Sequence, residues 1–327
     1  MKTPLYRQAL IHGWDMATKH KLLWMFGLFA AFLGQMGLLD LIVNTALVKE
    51  NYVFYPLLFD IRELFGVLVQ LLQNVGLEGS AWIWIIWLMI FFGAAKVLLI
   101  FMSTVSQGAL IDANAQQGKG RKKKHVDVGR AWDKGVSHFW RLLLLNVVKR
   151  VVIMLLAASV GFALYNVIQG GGTWHVVLFV VLFVLAMIVG MALSFLVIFA
   201  AGYVVIEEYS FKDSVAAAWH LFTGHWLVSL EVSFLLFIAN IIVGGLAALG
   251  LVLFVGEMAV VWAGTLLIGS SIVQQIGFFF GTALIILYWA FLGSSLMVFT
   301  TSVWMDLFMK MHKKGIKSRV LHLLGKR

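Results

Sequence analysis

Apolar residues run through this chain in long blocks separated by short polar stretches. The blocks lack the two-residue alternation of half-buried strands. Six are long enough to cross a bilayer, whose hydrocarbon core takes about 20 apolar residues in helical form. Their approximate limits are 22–46, 81–110, 141–168, 174–206, 226–254 and 273–309. A transmembrane barrel would show short alternating segments with polar lumen positions, and none are found. The pattern predicts an all-α integral membrane fold with six transmembrane helices.

The polar stretches carry a repeat. Trp14 and His20, Trp132 and His138, and Trp219 and His225 each stand six residues apart, just before a long apolar block. A small residue precedes each tryptophan (Gly13, Ala131, Ala218), and an aliphatic residue lies four places before it (Leu10, Val128, Val215). At the far end of each pair of blocks stands an acid after two apolar residues: Asp112 in "LID", Glu207 in "VIE" and Asp306 in "WMD". Self-similarity of this kind marks internal repetition. It predicts a single membrane domain of three parallel helical-hairpin repeats, 1–113, 124–208 and 212–310. A basic loop (114–130) follows the first repeat, and a basic tail (311–327) follows the third. Parallel units imply a pseudo-threefold axis along the membrane normal, in contrast to inverted repeats.

Six helical steps turn about 240°, so Trp and His would not share a face of one straight helix. An amphipathic elbow helix before each hairpin resolves this. The tryptophan anchors the elbow at headgroup depth, and the histidine marks the turn into the bilayer. The alternative is that the axis gathers His20, His138 and His225 into a three-histidine metal site, which nothing in the sequence requires. No metal and no cofactor are expected. The acids are expected to meet Lys, Arg or these histidines at the interface.

Charge then orients the hairpins. The segments 1–21, 112–141, 207–225 and 310–327 hold 20 of the 25 Lys and Arg, while the opposite connections hold only Lys49 and Arg62. By the excess of positive charge on the cytoplasmic side, both termini are cytoplasmic and the chain is a multi-pass protein of the cytoplasmic membrane. The net charge of +10 is therefore mostly topological. The clusters "GKGRKKKH" (118–125) and "KMHKKGIKSR" (310–319) suit anionic lipid headgroups at the cytoplasmic face better than nucleic acid. Partner membrane proteins are the other class of contact expected. The first apolar block is long enough to stay as an anchor and does not read as a cleaved signal.

Only 12% of the residues are charged, so ionisable groups inside spans stand out. Lys96, in "FFGAAKVLLIF", falls near the middle of its block; Glu231 lies five residues past Trp226. Asn146, Lys149 and Arg150 recur at i, i+3 and i+4, which predicts one polar stripe. Two readings compete: Lys96 pairs with Glu231 or a carbonyl while the stripe packs or snorkels, or these groups line a cavity holding an anionic headgroup or solute. In the long connection, 61–75 reads as an amphipathic helix lying flat on the outer surface. Residues 256–269 show a weaker pattern of the same kind. Small residues at Gly277 and Gly281, and at Ala186, Gly190 and Ser194, predict close helix contacts.

With no cysteine, thiolate chemistry and disulfides are excluded. No catalytic motif for hydrolysis, phosphate binding or metal-assisted chemistry is found, so no enzyme is expected.

The stretches "YRQALIHGWDMATKHKLLWMFGLFAAF" (6–32), "SQGALIDA" (106–113) and "YVVIEEYSFKDSVAAAWHLFTGHW" (203–226) resemble a six-span bacterial membrane-domain family. That domain is found with glycerophosphodiester phosphodiesterases and in allied bacterial membrane families. The likeness spans essentially the whole chain and implies a membrane protein tied to lipid or envelope upkeep. Those phosphodiesterases keep catalysis in a separate soluble barrel with a His-Arg-Gly motif. This chain lacks that motif, so the activity does not carry over. What is expected is a non-enzymatic module that binds lipid or scaffolds partners. The alternative is a transporter or flippase for an anionic lipid or solute, working through a cavity facing the inner leaflet.

Overall fold

A computed structural model describes residues 5–33, 80–118 and 126–314, which are helical almost throughout and contain no strand. The helices are α1 (Leu5–Lys19), α2 (Leu23–Ala31), α3 (Ser80–Gly118), α4 (Val128–Ser137), α5 (Phe139–Ile168), α6 (Thr173–Ile206), α7 (Phe211–Ile268) and α8 (Ser271–Lys314). Five stretches are long and apolar enough to cross a bilayer: 86–117, 139–168, 173–206, 211–268 and 271–312. The chain is thus a multi-pass membrane protein by length and composition. Of the first expected span, 22–46, only the part up to 33 is described, and the flat helix expected at 61–75 lies outside the described residues.

Helices α5 and α6 form one antiparallel pair and α7 and α8 another, while α3 and α8 sit among the others, touching α2, α6 and each other. The pairs close through short turns, with Gly170 and Gly269 in left-handed conformations that glycine adopts without strain. Helix α7 differs from the expected layout. Residues 256–268 continue its axis and do not lie flat. With no proline in this stretch, the helical hydrogen bonds run on unbroken.

The core is concentrated at one end of the bundle. There Phe26 of α2, Leu110 and Ile111 of α3, Leu142 of α5, Phe199 of α6, and Leu307 and Phe308 of α8 are almost fully buried. The other halves of the long helices present large apolar side chains outward, including Trp84, Phe92, Val181, Leu253 and Phe279. In water that surface would oppose folding; facing acyl chains, it is the surface a lipid solvent requires. The packed end carries the elbows and is called the elbow end below.

Candidate functional site

All three repeat histidines stand where a helix breaks. His20 separates α1 from α2. His138 is at once the C-cap of α4 and the N-cap of α5, at φ −104° and ψ 9°. His225 is the one non-helical residue inside α7, at φ −136° and ψ 26°. The chemistry of the break explains the residue. At a helix end a ring N–H can reach back to tie off the last turn, at His138 by a further hydrogen bond to a carbonyl that already accepts from its own backbone N–H. The Nδ1 of His138 lies 2.9 Å from Lys134 O, and that of His225 lies 3.3 Å from Leu221 O, four residues earlier in each case. A carbonyl only accepts, so Nδ1 is the donor. Near His20 the same need is met by Trp24, whose Nε1 donates to Ala17 O at 2.7 Å, while the Gln117 amide lies 3.4 Å from His20 Nε2. Among the described residues, no three His, Asp or Glu side chains come together as a metal site.

The elbows pack through their small residues. Ala9, Gly13, Met16 and Ala17 form the buried face of α1; Ala131 and Gly135 that of α4; Ser214, Ala218 and Leu221 that of the first turns of α7. The residue just before each repeat tryptophan therefore faces the core. A Cβ on Gly13 would come 2.6 Å from Val303 Cγ2, so the glycine permits the approach of α1 to α8. The tryptophans diverge. Trp14 and Trp219 are exposed on the elbow surface. Trp132 instead stacks on Phe26 at 6.1 Å between ring centroids and meets Phe101 edge-on, so it serves the core and not a surface anchor. A tryptophan spacing cannot distinguish these cases, because the difference lies in what the neighbouring hairpin supplies.

The acids at the helix ends are each engaged. Asp112 is buried and accepts from Gln116 Nε2 at 2.7 Å. The Gln116 Oε1 accepts from Asp127 N at 3.0 Å, and Asp127 caps α4 by accepting from Arg130 N at 3.1 Å. This relay ties the end of α3 to the start of α4 across the basic loop. Gln116 carried no sequence signal beyond its place beside the repeat acid. Glu207 lies 3.9 Å from His312 Nε2, and Asp306 accepts from Lys310 Nζ at 2.5 Å.

The expected polar stripe is split. Asn146 donates to Gln107 Oε1 at 2.7 Å and to Leu142 O at 2.9 Å, and Lys149 one turn on is buried. Arg150 is exposed. One residue step rotates a helix by about 100°, which carries Arg150 off the inward face. Lys96 is also exposed, on a lipid-facing stretch of α3 beside Val97 and Leu98. Glu231 is half-buried on α7. The polar layer of α3 carries residues not foreseen from their pattern: Ser103, Thr104, Ser106 and Gln107 are all buried where this helix enters the core. Its signal was the polar run "MSTVSQG" (102–108), too short between apolar flanks to break the span.

Small-residue contacts occur at some of the expected positions and elsewhere, but a Cβ on Gly190 would meet nothing within 4 Å. A Cβ on Gly277 would lie 2.5 Å from Val261 Cγ1, and Ala186 is buried against α5 beside Val160. Two crossings against backbone were not foreseen: Gly27 against Ser294 O, and Gly135 against Val105 O, where a Cβ would lie at 2.4 and 2.3 Å.

The chain matches no protein-family model, no curated protein and no solved structure.

Proposed function

We propose that this is a non-enzymatic membrane module of three elbow-and-hairpin repeats, with both termini cytoplasmic, that gathers anionic lipid and scaffolds partner proteins at its elbow end. The single observation that carries the reading is the set of helix breaks at His20, His138 and His225. At His138 and His225 a short helix turns into a long apolar one, and at His20 into the apolar α2, which suits elbows that lie where water meets lipid. Exposed Trp14 and Trp219 and exposed basic residues such as Lys19 and Arg130 suit that depth. The resemblance drawn from sequence supplies the context of lipid or envelope upkeep.

Protein extracted gently from membranes and weighed by native mass spectrometry should retain phosphatidylglycerol. Replacing Lys19 and Arg130 together by alanine should lower that retention about tenfold or more, each cation near an anionic surface contributing roughly 1 kcal/mol. Equal retention by the variant counts against the lipid part of the reading.

A transporter is the second reading. It is favoured by the buried Lys149 one turn from the Gln107–Asn146 hydrogen bond. It requires water to reach that layer.

A further inference from the structure

Between residues 232 and 305 the only Asp, Glu, Lys or Arg is Glu257. It lies on α7, far from the elbows, and faces α8. Its Oε1 would come 2.9 Å from a Cβ on Gly281, so the carboxylate occupies space that only a glycine leaves open. Glu257 closes one end of a groove of about 170 Å³ between α7 and α8, whose walls include Leu253, Phe254, Leu284 and Ile285. At the other end the Tyr288 ring lies across Gly250, and its hydroxyl donates to Leu246 O at 2.8 Å. Leu253 and Leu284 are exposed, so the groove opens to the surroundings of the hairpin. Among the described residues, none makes an ion pair or hydrogen bond with the Glu257 carboxylate.

The depth of this carboxylate follows from helix register. Helices α6 and α8 run in the same direction and touch at Phe195 and Trp304. Gly172, in the turn joining α5 and α6, and Gly281 are the same number of residues from that contact. Glu257 therefore stands level with the turn Gln169–Gly172 and with exposed Trp174, a residue type enriched at membrane boundaries, while the apolar arm 258–280 reaches beyond it. A carboxylate there, above an apolar trough, complements a molecule with a cationic head and a hydrocarbon tail.

We propose that this groove binds an aminophospholipid, its primary ammonium donating to Glu257 and one acyl chain lying along Leu253, Phe254, Leu284 and Ile285. A quaternary ammonium has no N–H to donate, and a glycerol headgroup has no positive charge, so both should bind less well. The site does not rest on the elbow-end reading, since it lies at the other end of the bundle and selects the opposite charge.

The test is native mass spectrometry of the whole protein released from vesicles of phosphatidylethanolamine, phosphatidylcholine and phosphatidylglycerol in equal parts. The native chain should carry about three- to tenfold more phosphatidylethanolamine than phosphatidylcholine, the range for a charge-assisted hydrogen bond at a partly wet site. Glu257→Gln should bring that ratio near one while leaving phosphatidylglycerol adducts unchanged. Leu253→Trp, which fills the trough and leaves the carboxylate, should lower phosphatidylethanolamine as well. Equal retention of the two lipids by the native chain overturns the proposal, as does an unchanged ratio in Glu257→Gln. Loss of phosphatidylglycerol alone would strike the elbow-end reading and not this one.

Discussion

Glu208 follows the last turn of α6 in a left-handed conformation, at φ 60°. That geometry costs a residue other than glycine about 1–2 kcal/mol, so neighbours must hold it. Lys134 of α4 donates to its carboxylate, and Arg141 Nη1 donates to Glu208 O at 3.2 Å and Tyr209 O at 3.3 Å. The Lys134 hydrogen bond, followed by its charge, holds the Glu208 carboxyl below the ordinary carboxylate range. A carboxyl whose pKa is lower folded than unfolded adds stability above its unfolded pKa and loses it as pH falls through the folded one. Thermal unfolding in detergent, followed from neutral to acid pH, should show Glu208→Gln less stable than the native chain near neutrality. The two should converge once the pH is below the folded pKa. A gap that stays constant across the range would show that Lys134 does not act through this charge.

At the scale of elements, backbones meet where side chains are missing. Helices α3 and α4 cross at Gly135, where a methyl group would meet Val105 O at 2.3 Å, a backbone atom that cannot swing aside. Gly135→Ala should therefore destabilise the protein by about 1–3 kcal/mol, the usual range for overpacking. Gly93, with nothing within 4 Å of its Cβ position, is the control. Gly93→Ala should be neutral or stabilising by up to about 1 kcal/mol, because alanine is the better helix former. Denaturation of both variants in mixed micelles compares them directly, and equal midpoints would refute the crossing. Of these contacts, Gly277 and Gly281 were legible because their spacing repeats every four residues on one helix. Gly27 and Gly135 were not, since each meets a different helix through an isolated glycine.

At the scale of the whole molecule, a packed end and apolar arms imply a direction across the membrane. The chain has no cysteine, so single cysteines report without background. Introduced at Gln169 or Ser270, in the turns of the two hairpins, a cysteine should react with an impermeant thiol reagent from outside the cell. At Asp127, beside α4, it should react only after permeabilisation. The reverse pattern would invert the proposed orientation. Ser106→Cys, in the buried polar layer of α3, should stay unreactive from both sides if the bundle is a scaffold. Labelling there would establish the water path that a transporter requires.

Sequence alone determined the helical membrane class, because a bilayer demands long uninterrupted apolar runs and the length of a run needs no knowledge of neighbours. It also located the helix breaks, since a histidine six residues past a tryptophan recurs three times at the edge of an apolar run. Only the tertiary structure decided which faces of those helices meet. It turned Trp132 inward and Arg150 outward, buried the serines and Gln107 of α3, and set Glu257 over Gly281. The physical reason is that hydrophobicity in a lipid solvent no longer separates inside from outside. Acyl chains and a packed core accept the same residues, so burial is chosen by shape and by pairing between segments far apart in the chain.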